Sequence, residues 1–278
     1  MAFEPLLETS VTHWHGHCDV VVVGFGGAGA CAAIEAADNG ASVIIFEAAS
    51  ASGGSTALSS AELYLGGGTS VQQALGYEDK PEDMIGYLMA SNGPQASLEK
   101  VTAYSEGGPE HLEWLKQQGV PFKNSEYPHR AMLALTDDCL LYTGSEKAWP
   151  YAEQFAPAPR GHNLQVAGDN GGPLLIEKLT QAVGARDIDV HLEARALRLI
   201  IDQQGPDNRV VGVVVRENMV ERCYRAAKAV VLCAGGFVMH SAMLDQYAPS
   251  LKRATIPIGN PNDTGVGIRL GQSVGGAT

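Results

Sequence analysis

Residues Asp19 to Glu47, DVVVVGFGGAGACAAIEAADNGASVIIFE, decide the fold. Val20 to Val23 is an unbroken β-branched run, the composition of a parallel strand buried on both faces. Gly24, Gly26 and Gly29 follow as G-x-G-x-x-G, with Gly27 as an extra glycine inside the motif. In such a turn the first glycine allows the tight bend, the second admits a pyrophosphate to the backbone, and the third lets helix pack on strand. The spacing predicts an alanine-rich helix from Ala28 to about Asn39, its first N–H groups turned toward a phosphate. Gly40 is a natural left-handed stop. Ser42 to Phe46 reads as a second strand, closed by Glu47.

Glu47 lies 18 residues after Gly29, near the separation of about 20 at which an acid meets a ribose hydroxyl. An isolated glycine motif is weak, but here strand, turn, helix, strand and acid fall in order. An acid at this position selects a free 2′-hydroxyl, so FAD or NAD rather than NADP.

The chain has 278 residues, 45% of them hydrophobic and 18% charged, enough for one large domain or two modest ones. A net charge of −12 argues against a non-specific nucleic-acid binder. No apolar run reaches the length of a membrane span, and residues 1–18 carry no signal-peptide pattern. The five cysteines, Cys18, Cys31, Cys139, Cys223 and Cys233, form no C-x-x-C pair and no metal-like spacing. They read as reduced thiols in a cytoplasmic protein. His13, His15 and His17 alternate in an irregular N-terminal arm (1–18). They lack the supporting ligands of a closed metal site, so no metal is expected.

Beyond Glu47 a second glycine-rich stretch runs AASASGGSTALSSAELYLGGGTS, in which Leu58, Leu63 and Leu65 are spaced for burial. Backbone N–H groups here, with the hydroxyls of Ser55 and Thr56, suit a pyrophosphate and the edge of a flavin. On DVVVVGFGGAGACAAIEA, FEAASASGGST and YLGGGT, the chain resembles the fumarate reductase/3-ketosteroid dehydrogenase group of FAD-dependent oxidoreductases. GGST with YLGGGT is most similar to its 3-ketosteroid Δ4-(5α)-dehydrogenase branch.

The resemblance implies an α/β fold, a Rossmann-like FAD-binding domain of the glutathione-reductase type. Its parallel sheet is flanked by helices and carries a small antiparallel β-meander. One such domain over 19–278 is expected, with a helical excursion at about 81–119 and the meander at about 189–227. Pro81 starts a helix, a second helical piece follows Ser97, and a third runs from Pro109 to Gln118. Leu174 to Gly184 is an amphipathic helix. Asp189–Ile201 and Arg209–Arg216 alternate as strands joined by a turn over Asp202–Asn208, and Cys223–Ala227 is a short third strand. Ala229–Cys233 is a buried strand ending in Ala234-Gly235-Gly236-Phe237, similar to the family's third FAD motif. Asn262-Asp263-Thr264-Gly265-Val266-Gly267-Ile268 resembles the family's N-T-G-D-G-I segment, with Val266 in place of the acid. Asp263 and Thr264 are candidate N-caps.

Motif and resemblance together assign cofactor contacts to Gly24, Gly26, Gly27, Ala28, Gly29, Glu47, Ala48, Gly53, Gly54, Ser55, Thr56, Leu58, Ser59, Ser60, Ala194, Ala234, Gly235, Gly236, Asp263 and Gly265. No histidine follows the GGST loop where some relatives attach their flavin, so FAD is expected to be non-covalent. Family members are longer than this chain, and their catalytic tyrosines or arginine belong to the part beyond it. Tyr64 is the one nearby phenol considered for acid–base work, against a plain packing role. Arg160, His162 and the loop 169–172 are polar points of unassigned purpose.

The implied reaction is hydride transfer from a substrate carbon to flavin N5 on a 3-ketosteroid or other activated CH–CH compound, with a separate electron acceptor. A fumarate reductase-like enzyme acting on a carboxylic acid and an inactive FAD-binding fragment are the alternatives.

Overall fold

The structure is a computed structural model, and it describes residues 3–203, 209–254 and 256–278. The chain forms two compact units, residues 1–58 with 179–278, and residues 59–178. The predicted turn over Asp202–Asn208 lies mostly outside the described residues.

The first unit is built on a seven-stranded sheet. Its order is Leu6–Leu7, Arg195–Asp202, Arg209–Glu217, Val220–Leu232, Gly16–Val23, Val43–Phe46, Ile188–His191. The last four run parallel, and the strands between Arg195 and Leu232 pair antiparallel. Val20–Val23 and Val43–Phe46 are buried throughout, because each lies between two strands and is covered on both faces. Helix Gly27–Asp38 crosses between these two strands and buries Gly29, Ala30, Ala33 and Ile34. Gly40 takes the left-handed conformation (φ 78°) that turns the chain into the next strand.

Several elements differ from the sequence expectation. The N-terminal arm is not wholly irregular: Leu6 and Leu7 pair in parallel with Ile200 and Ile201. Two residues are too short a segment for alternation to reveal. The expected strand Asp189–Ile201 is two strands, Ile188–His191 and Arg195–Asp202. Between them Glu193 adopts φ 54°, and the chain passes from the parallel half of the sheet to the meander. The expected strands 223–227 and 229–233 are one strand, Val220–Leu232. Val220 to Arg225 pair with the strand Arg209–Glu217, and Tyr224 to Leu232 pair with Gly16–Val23, the latter pairing shifting register between Ala226 and Ala229. The carbonyl of Ala227 in this irregular stretch accepts from Arg209 Nη2 at 2.6 Å.

The second unit holds helices Pro81–Asn92 and Leu98–Gln117 with a three-stranded sheet of Leu63–Tyr64, Gly161–His162 and Leu140–Leu141. The two helical pieces expected after Ser97 are one helix that runs through Pro109. Proline removes one intrahelical bond. The continuous face Ser105, Gly108, Leu112 and Leu115, all buried at helical spacing, carries the helix across the gap. The helix expected from Leu174 begins earlier, at Gly171.

Candidate functional site

A cavity of about 450 Å³ opens in the first unit where the parallel strands end. That volume is in the range of small-molecule sites. Its position, outside the carboxyl ends of parallel strands, is where open α/β sheets bind ligands.

The wall begins with the glycine turn, and its three motif glycines answer to different neighbours. A Cβ on Gly24 would come within 2.4 Å of the Cys233 carbonyl oxygen, at φ 105°. A Cβ on Gly29 would sit 1.9 Å from the Gly24 carbonyl oxygen. Both are glycine because protein packs on them. Gly26 is different. Its backbone (φ −86°, ψ −169°) is open to any residue, and an added Cβ would meet nothing closer than 3.6 Å. The protein does not require glycine there, so the side chain is absent in favour of the cavity that Gly26 lines. That observation fits a group lying against the backbone at the N-terminus of helix Gly27–Asp38, whose positive end suits a diphosphate.

Around the turn, Gly53 N donates to the Phe25 carbonyl at 2.8 Å, and Gly27 N donates to Thr56 Oγ1 at 3.1 Å. Glu47 ends its strand with Oε2 accepting from Phe25 N (2.7 Å) and Oε1 from Ala49 N (2.8 Å). Each carboxylate oxygen keeps further acceptor capacity for a hydroxyl. Asp263 is nearly buried and ties three segments together. Its Oδ1 accepts from Gly236 N (3.2 Å), and its Oδ2 accepts from Ser55 Oγ (2.6 Å) and Asn260 N (3.2 Å). It does not cap the last helix. That helix, Val266–Ser273, has Gly265 at its N-cap with φ 72° and no side-chain cap, and Thr264 Oγ1 donates to the Asn262 carbonyl instead. Asp263 is drawn off by the stronger set of donors facing it.

Of the residues expected to hold the cofactor, Gly24, Gly26, Gly27, Ala28, Glu47, Ala48, Gly54, Ser55, Thr56, Ala194, Ala234, Gly235, Gly236 and Asp263 line this one cavity. Gly29, Gly53 and Gly265 stand behind the wall. Gly265 N donates to the Gly236 carbonyl, and a Cβ on Gly265 would strike Met243 Sδ at 2.2 Å. Leu58 is 67% exposed rather than buried, at the end of the short helical turn Thr56–Leu58. Ser59 and Ser60 belong to the second unit. There the Ser59 carbonyl accepts from Gly172 N, and a Cβ on Gly171 would meet the Ser60 carbonyl oxygen at 2.1 Å. Sequence reasoning passed over Phe46, Arg195, Cys233, Asn260 and Asn262, which also line the cavity. Asn260 and Asn262 flank a motif already recognised, and Arg195 adjoins Ala194. Their positions were the available signal.

The polar points of the second unit are mostly engaged within it, while Arg160 Nη1 and Glu146 Oε2 are buried without a hydrogen-bond partner among the described residues. Arg160 and Asp79 form a fully buried ion pair, Nη2 to Oδ1 at 2.7 Å and Nε to Oδ2 at 3.1 Å. Asp79 Oδ2 also accepts from Gly67 N (2.9 Å) and Gln72 Nε2 (3.0 Å), which fixes the Gly66–Gly68 turn. His162 is buried between Thr69 Oγ1 (2.9 Å) and the Arg160 carbonyl (3.1 Å), and burial pushes its ring down to about 4. The Tyr64 hydroxyl donates to Glu146 Oε1 at 2.7 Å. Burial, then the Glu146 carboxylate, raise the Tyr64 phenol well above its ordinary range, so it is held as a neutral donor. His13 and His15 stack edge to face at 4.7 Å, and His15 Nδ1 accepts from Cys223 N. No cluster of metal-ligating side chains occurs among the described residues. No helix among them is long and apolar enough to cross a membrane.

Comparison with known proteins places this geometry. The family profile described as FAD binding domain matches residues 19–278. The crystal structure of 3-ketosteroid-Δ4-(5α)-dehydrogenase from Rhodococcus jostii RHA1, in complex with 4-androstene-3,17-dione, superposes with a TM-score of 0.92 at 39% identity. The match covers 98% of this chain and 56% of that one. The 3-oxo-5-alpha-steroid 4-dehydrogenase of Comamonas testosteroni is 33% identical over 212 residues, 73% of this chain. A probable fumarate reductase of Shewanella frigidimarina is 30% identical over 256 residues, 92% of this chain. The matched part is 38% of the length of each of these two relatives.

Proposed function

We propose, from the premise that this chain belongs to the FAD binding domain family, that it is the cofactor-holding part of a 3-ketosteroid dehydrogenase-like oxidoreductase acting on CH–CH bonds. The observation that carries the reading is the likeness to the Rhodococcus enzyme, 39% identity sustained over 98% of the chain. FAD, when bound, supplies the acceptor for a hydride leaving a substrate carbon.

The chain's own residues hold and orient that group. Gly26, Gly27 and Ala28 present backbone and the helix N-terminus to the diphosphate. Glu47 offers carboxylate oxygens to the ribose. Ser55 and Thr56, with Ala234, Gly235 and Gly236, form the opposite wall, braced by Asp263. All of these contacts are non-covalent. Tyr64 is given no proton-transfer step, since its hydroxyl is engaged with Glu146. The reading includes a small-molecule substrate, a separate electron acceptor and a cytoplasmic setting, the last supported by five cysteines that are all unpaired.

The test is an anaerobic titration of the FAD-loaded protein followed by flavin absorbance. Bleaching by a saturated 3-ketosteroid supports the proposal. Bleaching by succinate alone favours the fumarate reductase-like alternative. Retained flavin that neither compound bleaches reduces the chain to a FAD-holding module without turnover.

A further inference from the structure

We propose that a second cavity, within residues 59–178, binds a tetrahedral oxyanion, a phosphate or sulfate group, through Arg130, Tyr142 and Lys147. The cavity measures about 500 Å³ and shares no lining residue with that of the first unit. Its wall is drawn from two segments, 126–130 and 142–148. Backbone bonds hold the two together: Tyr127 N donates to the Leu140 carbonyl at 2.8 Å, and Ala131 N to the Tyr142 carbonyl at 3.2 Å.

Tyr142 is only 8% exposed, yet among the described residues no group bonds its hydroxyl. Buried polar groups are ordinarily paired, so this hydroxyl, on a residue that lines the cavity, is an unmet donor. Burial, then Glu126 and Glu146, push the phenol up to about 12, which keeps its proton in place. Lys147 Nζ lies 3.6 Å from the centroid of the same ring. One bound group can therefore touch both the ammonium and the hydroxyl. Arg130 Nε donates to the Gly144 carbonyl at 2.6 Å, which anchors the guanidinium at the wall and leaves its two Nη groups unspent. Among the described residues neither Arg130 nor Lys147 has a carboxylate at ion-pair distance.

The two acids of the wall are engaged elsewhere. Glu146 is 1% exposed, its Oε1 accepts from the Tyr64 hydroxyl at 2.7 Å, and its Oε2 is buried, so neither oxygen is open to an occupant. Glu126 Oε2 accepts from the Tyr77 hydroxyl at 2.7 Å. The other Glu126 oxygen disfavours an anion beside it, which leaves the charged end of a ligand to Arg130 and Lys147. Donors from three separate groups suit an anion whose oxygens point in three directions, whereas a planar carboxylate presents two. Tyr127 and His129, also in the wall, pack edge to face at 5.6 Å and give the cavity an aromatic side for the body of an ester.

Isothermal titration of the whole chain with inorganic phosphate, phenyl phosphate and acetate tests this. Phosphate is expected to bind saturably, and acetate more weakly. Arg130→Gln should weaken phosphate about tenfold, and Tyr142→Phe about fivefold, as expected for losing a hydrogen bond to a charged group. Tyr142→Phe removes no bond within the protein, so its urea midpoint should hold. Arg130→Gln changes an exposed side chain and covers the case in which the buried variant fails to fold. Tighter phenyl phosphate assigns an ester as the ligand, and equal affinity assigns the free anion. Absence of saturation, acetate as tight as phosphate, or a phosphate affinity that both variants leave unchanged overturns the inference. The last result also identifies phosphate entering the first unit's cavity, whose lining residues neither variant alters.

Discussion

The glycine turn of the first unit's cavity meets its neighbours through backbone, whereas residues 59–178 bury a charged pair, Arg160 with Asp79, among apolar side chains. Around Gly24, Gly26 and Gly29 the decisive contacts are carbonyl oxygens, N–H groups and the hydrogen atoms that stand in for side chains. Around Arg160 and Asp79 they are a guanidinium and a carboxylate with no solvent exposure, 81 residues apart in sequence. The first arrangement leaves room for an outside group. The second pairs most of its polar atoms with one another, although Arg160 Nη1 is buried without a partner among the described residues. Polar residues that look like chemistry in a sequence can thus be structural, while glycines with no functional group shape the cavity wall beside Glu47, Ser55 and Asp263.

Asp79→Ala tests the charged side of this contrast and has the largest expected effect. It strands a buried guanidinium, which should cost about 3–5 kcal/mol, seen as a lowered urea midpoint. Replacing both partners with apolar residues, Asp79→Leu with Arg160→Met, should recover most of that loss.

His162 gives the next effect. Burial holds its folded-state ring well below the unfolded value, so its contribution is present near neutral pH and lost as the medium falls from about 6.5 toward 4. The span is worth roughly 3 kcal/mol at most. Urea midpoints at pH 7 and pH 4.5 should differ less in His162→Gln than in the wild type.

On the backbone side, Gly29→Ala drives a methyl into the Gly24 carbonyl and should cost about 1–3 kcal/mol in the ligand-free protein. The smallest stability change belongs to Gly26→Ala. Its backbone accepts alanine without strain, so ligand-free stability should hold or rise by about 0.4–1 kcal/mol, while retained flavin absorbance drops. Equal destabilisation by the two glycine variants would erase the distinction drawn between them.

Much of the first unit was legible because its constraints are local. Val20–Val23, the glycine turn, Gly40 and Glu47 are read within one βαβ segment, and all fall where the spacing placed them. Elements defined by distant partners were not legible. Leu6–Leu7 is a strand only because Ile200 and Ile201 lie beside it. The break at Glu193 exists because Glu47 and Ala49 capture the chain there. Pro81 and Pro109 carry the same local signal, yet the first starts a helix and the second lies within one, decided by the buried face Ser105 to Leu115.

By itself the sequence determined the glycine turn, the strand pair around it and the family, since glycine spacing and β-branched runs act over a few residues of backbone. Tertiary structure alone decided that Asp263 braces Ser55 and Gly236 instead of capping its helix, and that Arg160 and His162 are interior. The physical reason is that side-chain hydrogen bonds and ion pairs reach only about 3 Å, and which groups meet at that distance is fixed when segments far apart in the chain are packed together.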